Sequence, residues 1–574
     1  MNTLQGEKYL WRLPEEQKEL LLKFSAGYNL SFPVVQTLLS RGVASKEEFD
    51  QFLFSSFERD VAHPSLMKDA QKSVERILLA IKKKERVLIF GDYDVDGITS
   101  TSLMMTCLLP LGADVNFFLP HRVRDGYGIS SKIVERAAKN NYKLIITVDN
   151  GICAFEPAQK AKELGIDLII TDHHRQKEKV PEAFAVVDPN QDECTYPYKH
   201  LAGVGVAFKL MSLLYEQKKL PLSEKAYELL LLGTVADVVP LTGENRFWVR
   251  HGLHVMNKTD SYPFSVLKKN GKVTKPIVSS TDIGFSIAPQ INALGRLEDP
   301  RQGVKFLIGL EKKEVDEVGR ILFELNQARR NIERSIVQEV EEEITQKRID
   351  LDVDNVVIAA SRSWPPGVIG LVASRIVSAH GRPALLFHLT DDGLAKGSCR
   401  SIPEFNIFDA LQNCSDLLES FGGHSFAAGL SLKQKNLPAL KERLEALINE
   451  QLTEYDLKQK IELDSPIVLT DLNKKFMSDL QLLEPFGNKN KRPLFYAQDL
   501  VQVQKPTLLK DLHVKCSVFA DGVIKPLVFF NRPELFEKLL ERGKKPFHVA
   551  AEVSENYWNG RTSIELIGVD VVLD

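Results

Sequence analysis

The chain has 574 residues, of which 44% are hydrophobic and 26% are charged, and its formal net charge is −3. No apolar run approaches the roughly 18 residues of a membrane span, residues 1–13 lack the pattern of a secretory signal, and the six cysteines form no CxxC pair. These features exclude a membrane-spanning or disulfide-based protein and favour the cytoplasm. The length predicts about three or four domains.

Apolar runs alternate with helical patterns from about residue 86 to 190. The predicted strands are 87–90, 115–119, 144–148, 167–170 and 185–187. The predicted helices are 98–109, 130–139 and 154–164, and Pro110 and Gly165 follow the first and the third. This β-α-β alternation predicts a parallel, doubly wound sheet. In such sheets, ligands bind beyond the carboxyl ends of the strands.

The second half of the chain contains three further patterns. Apolar residues recur at helical spacing over 312–348, which predicts a long helix that connects two domains. Residues 353–450 have the pattern of a second, smaller α/β unit. From about residue 460 onwards, short strands between turns indicate a small β-barrel, for which an OB-fold is one option.

Four polar segments follow apolar runs of the predicted α/β region. They contain Asp92, Asp94 and Asp96; Asp149; Asp172, His173 and His174; and Asp237. One acidic residue after a strand is more often a helix cap or a turn residue, and an isolated histidine pair is more often structural. Four such segments at one sheet edge instead favour a cation site, because close carboxylates repel one another unless a cation neutralises them. Carboxylates with imidazole suit Mn²⁺ or Mg²⁺.

The order of these segments resembles that of the DHH phosphoesterase superfamily, whose motifs match residues 92–97, 148–151, 172–174 and 236–240. Further segments are similar to those of the RecJ-type single-stranded-DNA exonucleases. They are 124–128, 201–208, 292–296, 397–403, 421–424 and 485–487. The resemblance extends from about residue 60 to the end of the chain.

The resemblance implies a hydrolase with two Mn²⁺ or Mg²⁺ ions. One ion is expected to be held by Asp96, Asp149, His173 and Asp237. The second is expected at Asp94 and the bridging Asp149, with Asp92 nearby. His174 is then expected to contact the scissile phosphate or to protonate the leaving oxygen.

The resemblance also implies five-prime to three-prime polarity and a sensor for the strand terminus in the second α/β unit. The residues that match this sensor are Ser398, Arg400, Gly422, Gly423 and His424. A Gly-Gly pair by itself is more typical of a tight turn. Arg122 and Arg296 are expected to contact phosphates near the metals, although either residue also suits a structural ion pair. Tyr557 and Trp558 are candidates for stacking on bases, although most aromatic residues of a small barrel belong to its core.

Five segments are predicted on this basis. They are an N-terminal segment (1–59), a DHH catalytic domain (60–305), a connecting helix (306–350), a DHH-associated or DHHA1 domain (351–455) and an OB-fold domain (456–574). The chain departs from the family pattern at Gln290, where arginine is usual, at Pro365, where histidine is frequent, and at Glu404, where glycine is common. These departures put the affinity for DNA and the end preference in doubt.

The expected function is metal-dependent, five-prime to three-prime degradation of single-stranded DNA in repair and recombination. The expected partners are single-stranded DNA, a helicase and a single-strand-binding protein, with no membrane partner. One alternative is a phosphodiesterase of the same superfamily for oligoribonucleotides or cyclic dinucleotides, although a small substrate does not need the C-terminal barrel. A second is a non-catalytic replication scaffold, which has no need for so many close carboxylates.

Overall fold

The computed structural model describes residues 3–121, 124–126, 128–558 and 561–573. Two compact units divide the chain. The parallel-sheet unit comprises Asp50–Arg329 and Glu484–Lys491, and the second unit comprises Met1–Phe49, Arg330–Leu483 and Arg492–Asp574. Among the described residues, no helix has the length and apolar character needed to cross a membrane.

Five parallel strands form the sheet of the parallel-sheet unit. In spatial order they are Asp114–Phe118, Arg86–Phe90, Tyr142–Val148, Asp167–Thr171 and Ala185–Val187. Alternate residues of one strand enter two different cores: Val87 and Ile89 belong to one, and Leu88 and Phe90 to the other. Because both faces are covered by apolar packing, the central strands contain hydrophobic runs such as residues 87–90, whereas the edge strand Asp114–Phe118 also contains exposed polar residues. The predicted doubly wound sheet is confirmed.

This unit also contains helices, of which the first, Lys46–Leu53, has its initial residues in the second unit. Within the described residues they are Lys46–Leu53, Phe57–Asp60, Ala70–Lys83, Val95–Leu108, Ser131–Lys139, Phe155–Glu163, Gly203–Lys218, Glu224–Ala236, Gly243–Lys258, Tyr262–Asn270, Ser280–Asp282, Ala288–Leu297 and Arg301–Ile308, with a π-helix at Ile283–Ile287. The helix Val95–Leu108 begins earlier than predicted because the Asp94 side chain accepts a hydrogen bond from the Gly97 N–H at 3.1 Å. Asp94 is therefore a helix cap as well as a predicted metal ligand.

The long predicted helix is present as Lys312–Thr345. Its residues up to Arg329 belong to the parallel-sheet unit, and those from Arg330 belong to the second unit. The further helices of the second unit are Lys18–Tyr28, Phe32–Ser40, Pro366–His380, Ile407–Gln412, Leu437–Gln451, Glu454–Leu457, Lys474–Gln481 and Leu535–Arg542.

A mixed five-stranded sheet forms the α/β part of the second unit. In spatial order its strands are Leu418–His424, Ala427–Lys433, Leu394–Arg400, Ala384–Leu389 and Val357–Ser361. The last two strands pair in parallel and the other pairs are antiparallel. A separate apolar core lies against this sheet and includes Phe387 and Leu444. The smaller α/β unit predicted for residues 353–450 is confirmed.

The C-terminal strands close into a barrel. Its five strands are Phe495–Gln502, Phe547–Trp558, Arg561–Val572, Val523–Phe529 and His513–Ala520. The pairing of Val501 with Phe519 and of Gln502 with Val518 joins the last strand to the first. Two further strands, Ser465–Pro466 and Thr507–Leu509, extend the sheet. Closure removes the exposed sheet edges, and the architecture agrees with the predicted OB-fold.

The N-terminal residues form part of the second unit. Strands Thr3–Gln5 and Leu10–Arg12 make a three-stranded sheet with Lys460–Glu462. Trp11 is fully buried, and its indole N–H donates to the Asp570 carboxylate at 3.0 Å. This bond fixes the start of the chain to the last barrel strand. The limits of the five predicted segments stay a prediction.

Candidate metal centre

The polar segments of the parallel-sheet unit converge at the carboxyl edge of the sheet. Three adjacent strands end at Phe90, Val148 and Thr171, and each is followed by one of the predicted acidic or histidine segments. Asp237 joins them from the carboxyl end of the helix Glu224–Ala236. The sheet order therefore places three of the segments at one edge, as a doubly wound sheet requires, and the helix end adds Asp237 to them.

Possible ligand atoms of the predicted metal residues form three overlapping groups, and within each group these atoms lie within 4.8 Å of one another. The groups are Asp96, His173 and Asp237; Asp92, Asp94 and Asp149; and Asp149, His173 and His174. The His173 Nε2 atom lies 3.2 Å from an Asp149 oxygen, 3.7 Å from an Asp237 oxygen and 3.9 Å from an Asp96 oxygen. The first two groups correspond to the two predicted ion positions, with Asp149 adjacent to both. The ligand roles themselves stay a prediction.

The chemistry of these donors fits divalent cations. Burial raises the pKa of Asp149 well above its usual range, and the charges of Asp96 and Asp94 raise it further. Burial and Asp94 raise the pKa of Asp96 to about 7, and burial raises that of Asp237. Carboxylates that are buried close together repel one another, and bound cations stabilise them by neutralising their charge. Oxygen ligands with one imidazole suit Mn²⁺ or Mg²⁺.

His173 has the state of a metal ligand. Burial and the neighbouring His174 lower its pKa to about 4, so the imidazole is neutral at pH 7. One hydrogen bond links its ring to the backbone of Leu201, while the buried Nε2 atom makes no hydrogen bond to any of the described residues. A backbone bond at one ring nitrogen that leaves the other for a metal is the usual arrangement of ligand histidines.

Two backbone amides hold Asp96 in place. The N–H groups of Gly203 and Val204 donate to its two carboxylate oxygens at 2.6 and 2.8 Å. Both amides lie at the start of the helix Gly203–Lys218, where the helix dipole favours a negative charge. A Cβ atom at Gly203 would lie 2.6 Å from the Asp149 Cβ, so only glycine allows this approach. No role was predicted for either amide from the sequence. The glycines at the start of this helix were a sign of close backbone packing.

The loop that carries the three aspartates packs against the helix Ala288–Leu297. A Cβ atom at Gly295 would lie 2.1 Å from the Tyr93 carbonyl oxygen, so the two backbones are in direct contact there. The adjacent Arg296 is half-buried on the same helix. The structure therefore places Arg296 beside the metal loop, and its phosphate contact stays a prediction. Arg122 lies outside the described residues.

His174 is oriented by Asp172. Its Nδ1 atom lies 2.7 Å from an oxygen of the buried Asp172 carboxylate, which also accepts the N–H groups of His173 at 2.7 Å and Ile152 at 2.9 Å. Burial lowers the pKa of His174, but the hydrogen bond and charge of Asp172 outweigh it and raise that pKa to about 9. The bond at Nδ1 fixes the orientation of the imidazole ring. Asp172 is part of a matched sequence motif, but no separate role was predicted for it from the sequence.

The predicted terminus-sensor residues lie together at one end of the mixed sheet of the second unit. Ser398 and Arg400 belong to one strand, and Gly422, Gly423 and His424 belong to another. The strand Ala427–Lys433 lies between them, and its Ala427 is opposite both Arg400 and His424. The tight-turn interpretation of the glycine pair is wrong, because both glycines are in the strand Leu418–His424.

Small residues allow the segments at this corner of the sheet to approach one another closely. The Arg400 Nη1 atom donates to the Ser398 Oγ at 3.2 Å and to the Cys399 carbonyl at 2.7 Å. A Cβ atom at Gly370, in the first turns of the helix Pro366–His380, would lie 2.8 Å from the Ser398 Oγ. At Gly423, where φ is +146°, a Cβ atom would meet the Ala427 carbonyl at 2.4 Å. The side chains of Tyr557 and Trp558 lie outside what the structure describes, so their stacking role stays a prediction.

The three departures from the family pattern have local structural roles. Gln290 is buried and donates to the carbonyls of Ser286 and Leu267 at 2.7 and 2.9 Å. Pro365 directly precedes the helix Pro366–His380. Glu404 pairs with Lys460 at 2.7 Å. None of these three contacts involves a predicted metal ligand.

Comparisons with known proteins agree with this geometry. Family models match the DHH family N-terminal domain over residues 86–234, the DHHA1 domain over 354–450 and the RecJ OB domain over 463–570. The single-stranded-DNA-specific exonuclease RecJ of Bacillus subtilis is 34% identical over 99% of this chain and 71% of its own length. The chain belongs to the RecJ family. RecJ of Salmonella typhimurium is 31% identical over 93% of this chain and 94% of its own length.

Solved RecJ structures share the fold. The crystal structure of RecJ from Thermus thermophilus in complex with Mn²⁺ matches with a TM-score of 0.83 at 26% identity, and the match covers 98% of this chain and 79% of that one. The Mg²⁺ complex of the same protein matches with a TM-score of 0.75. The resemblance drawn from the sequence motifs is therefore confirmed, as is the predicted fold class.

Proposed function

We propose that this RecJ-family chain is a metal-dependent exonuclease that degrades single-stranded DNA from its five-prime end. The observation that carries the proposal is the convergence of five carboxylates and two histidines at the sheet edge, in groups that suit two cations. The names of its relatives support single-stranded DNA as the substrate. The barrel of the second unit supports it as well, since OB-folds bind single strands.

Different residues of the chain have separate roles in the proposed hydrolysis. Asp96, His173 and Asp237 would hold one cation, Asp92 and Asp94 the second, and Asp149 would bridge them. Such ions supply Lewis-acid stabilisation of the attacking and leaving oxygens of the phosphodiester. Asp172 orients His174 through Nδ1, so that the protonated Nε2 can donate to the scissile phosphate or to the leaving oxygen.

The polarity is assigned to the mixed sheet. Ser398 and Arg400 supply donors for a terminal phosphate, and Gly422, where a Cβ atom would meet nothing within 4 Å, leaves room for its approach. We place the reaction in DNA repair and recombination, in the cytoplasm, with a helicase and a single-strand-binding protein as partners. These assignments rest on the family resemblance.

One substrate panel distinguishes the proposal from its alternatives. The full chain with Mn²⁺ is incubated with linear single-stranded DNA, the same strand circularised, duplex DNA and a linear dinucleotide. We expect degradation of the linear single strand, with a five-prime label released before a three-prime label, and no cleavage of the circle. Degradation of the dinucleotide alone would support the small-substrate phosphodiesterase, and inactivity on all four would support the scaffold.

The terminus sensor gives a prediction for Arg400→Ala. Loss of hydrogen bonds to a charged group costs about 1.5–3 kcal/mol, so KM for five-prime-phosphorylated strands should rise about tenfold or more while kcat changes little. Arg443→Ala is the matched control, because Arg443 lies in the same α/β region and pairs with Asp416. Steady-state kinetics on five-prime-phosphate and five-prime-hydroxyl strands measure the effect. Equal losses on both strands would contradict the sensor assignment.

A further inference from the structure

A short hairpin from the C-terminal half of the sequence belongs to the parallel-sheet unit. Its flanking residues Leu483 and Arg492 belong to the second unit, whereas residues 484–491 do not. The hairpin, residues 485–490, is closed by two backbone hydrogen bonds between Gly487 and Asn490, at 2.8 and 3.1 Å. It therefore has a fixed shape of its own within the unit that holds the metal centre.

The hairpin is hydrogen-bonded to the turn that follows Asp237. The Asn488 side-chain amide donates to the Val238 carbonyl at 2.7 Å, and the Asn488 carbonyl accepts the Leu241 N–H at 2.9 Å. A Cβ atom at Gly487 would lie 2.5 Å from the Leu241 side chain, so the two segments touch as closely as glycine allows. On the other side, the Ser280 hydroxyl donates to the Phe486 carbonyl at 2.7 Å.

The turn that contacts the hairpin has a strained backbone. Val238 has a φ of +60°, which is an outlier for a β-branched residue. Its side chain is 63% exposed, so apolar packing contributes little to holding this conformation. Such strain persists only where surrounding contacts enforce it. The two hydrogen bonds of Asn488, with the Val238 carbonyl and the Leu241 N–H on the carboxyl side of the strained residue, are contacts of this kind.

Asp237 directly precedes the strained residue. Asp237 ends the helix Glu224–Ala236, and its N–H donates to the Gly233 carbonyl at 2.9 Å. Its carboxylate faces the His173 Nε2 atom at 3.7 Å. Release of the turn at Val238 would loosen the carboxyl end of this helix, which carries the Asp237 carboxylate.

We propose that the 485–490 hairpin is a positioning element for the metal site, in which Asn488 holds the turn that aims Asp237 at the cation. The inference rests on the proposed function, because it takes Asp237 as a ligand. Asn488 itself contacts neither the ligands nor the substrate in this role. Its loss should therefore weaken cation binding without removing a ligand.

Mn²⁺ binding by the full-length protein, without DNA, tests this inference. We expect Asn488→Ala to weaken one class of Mn²⁺ site about three- to tenfold in a calorimetric titration, the change expected for one hydrogen bond. The unfolding temperature should change little, because this bond is exposed. Lys489→Asn is the matched control, since asparagine tolerates the φ of +59° at this neighbouring position.

A second readout separates positioning from folding. Activity of Asn488→Ala on single-stranded DNA should fall at limiting Mn²⁺ and recover when Mn²⁺ is raised, which a general loss of stability would not produce. Gly487→Ala, which pushes the hairpin away from Leu241, should show the same pattern. Wild-type Mn²⁺ affinity in both variants would overturn the inference. A wild-type protein that binds no Mn²⁺ would overturn the proposed function, and this inference with it.

Discussion

Asp149→Asn is expected to lower kcat on single-stranded DNA by about a thousandfold or more. Asp149 is the residue adjacent to both predicted ion positions, and it is surrounded by four other carboxylates and His173. Bound cations contribute several kcal/mol of transition-state stabilisation, and each 1.36 kcal/mol or so corresponds to a tenfold change in rate. Single-turnover kinetics at saturating Mn²⁺ measure the loss.

Asp114→Asn is the matched control for this change. Asp114 begins the edge strand of the same sheet, at the end opposite to the carboxyl edge, and is exposed. We expect normal rates from it. A rate for Asp149→Asn within tenfold of the wild type, in a folded protein, would contradict the bridging role.

His174→Gln is expected to lower kcat by about a hundredfold to ten-thousandfold, the usual contribution of a positioned proton donor. The Nδ1 atom is held by Asp172 at 2.7 Å, which supports a protonated imidazole and fixes the direction of Nε2. Mn²⁺ affinity should stay within a few-fold of the wild type, because the predicted ligand is the neighbouring His173. Mn²⁺ titration and single-turnover rates on the same protein separate the two effects.

His63→Gln is the control for His174→Gln, since His63 is an exposed histidine that pairs with Glu216. Asp172→Asn should produce part of the His174 effect by removing the charge that orients and protonates the ring. Parallel losses of Mn²⁺ affinity and kcat in His174→Gln would make His174 a ligand instead. An unchanged kcat would remove it from the reaction.

The sheet and the site were predictable where the chain follows local rules. The strand Arg86–Phe90 is buried on both faces, so its sequence is continuously apolar and ends visibly at Gly91. The carboxyl ends of parallel strands meet at one edge, so acidic residues after neighbouring strands had to converge. Asp94 shows why a single segment was ambiguous, because it caps a helix at the same time.

The contacts that position these residues were not predictable, because they join segments far apart in sequence. The amides of Gly203 and Val204 that hold Asp96 are backbone groups, and the glycine that opens their helix does not show which residue they bind. The positive φ of Val238 could not be recognised from its residue type, because valine rarely adopts it. Its hydrogen-bond partner Asn488 lies 250 residues further along the chain. The glycines at 422 and 423 were open to a turn interpretation until their strand pairing was known.

Anomalous scattering from Mn²⁺-soaked crystals of the full chain tests the central claim most directly. The account predicts two Mn²⁺ peaks about 3.5–4 Å apart, both beside Asp149, with Asp96, His173 and Asp237 around one and Asp92 and Asp94 around the other. Peaks remote from Asp149, or a single fully occupied peak at saturating Mn²⁺, would contradict a two-metal centre at this edge of the sheet.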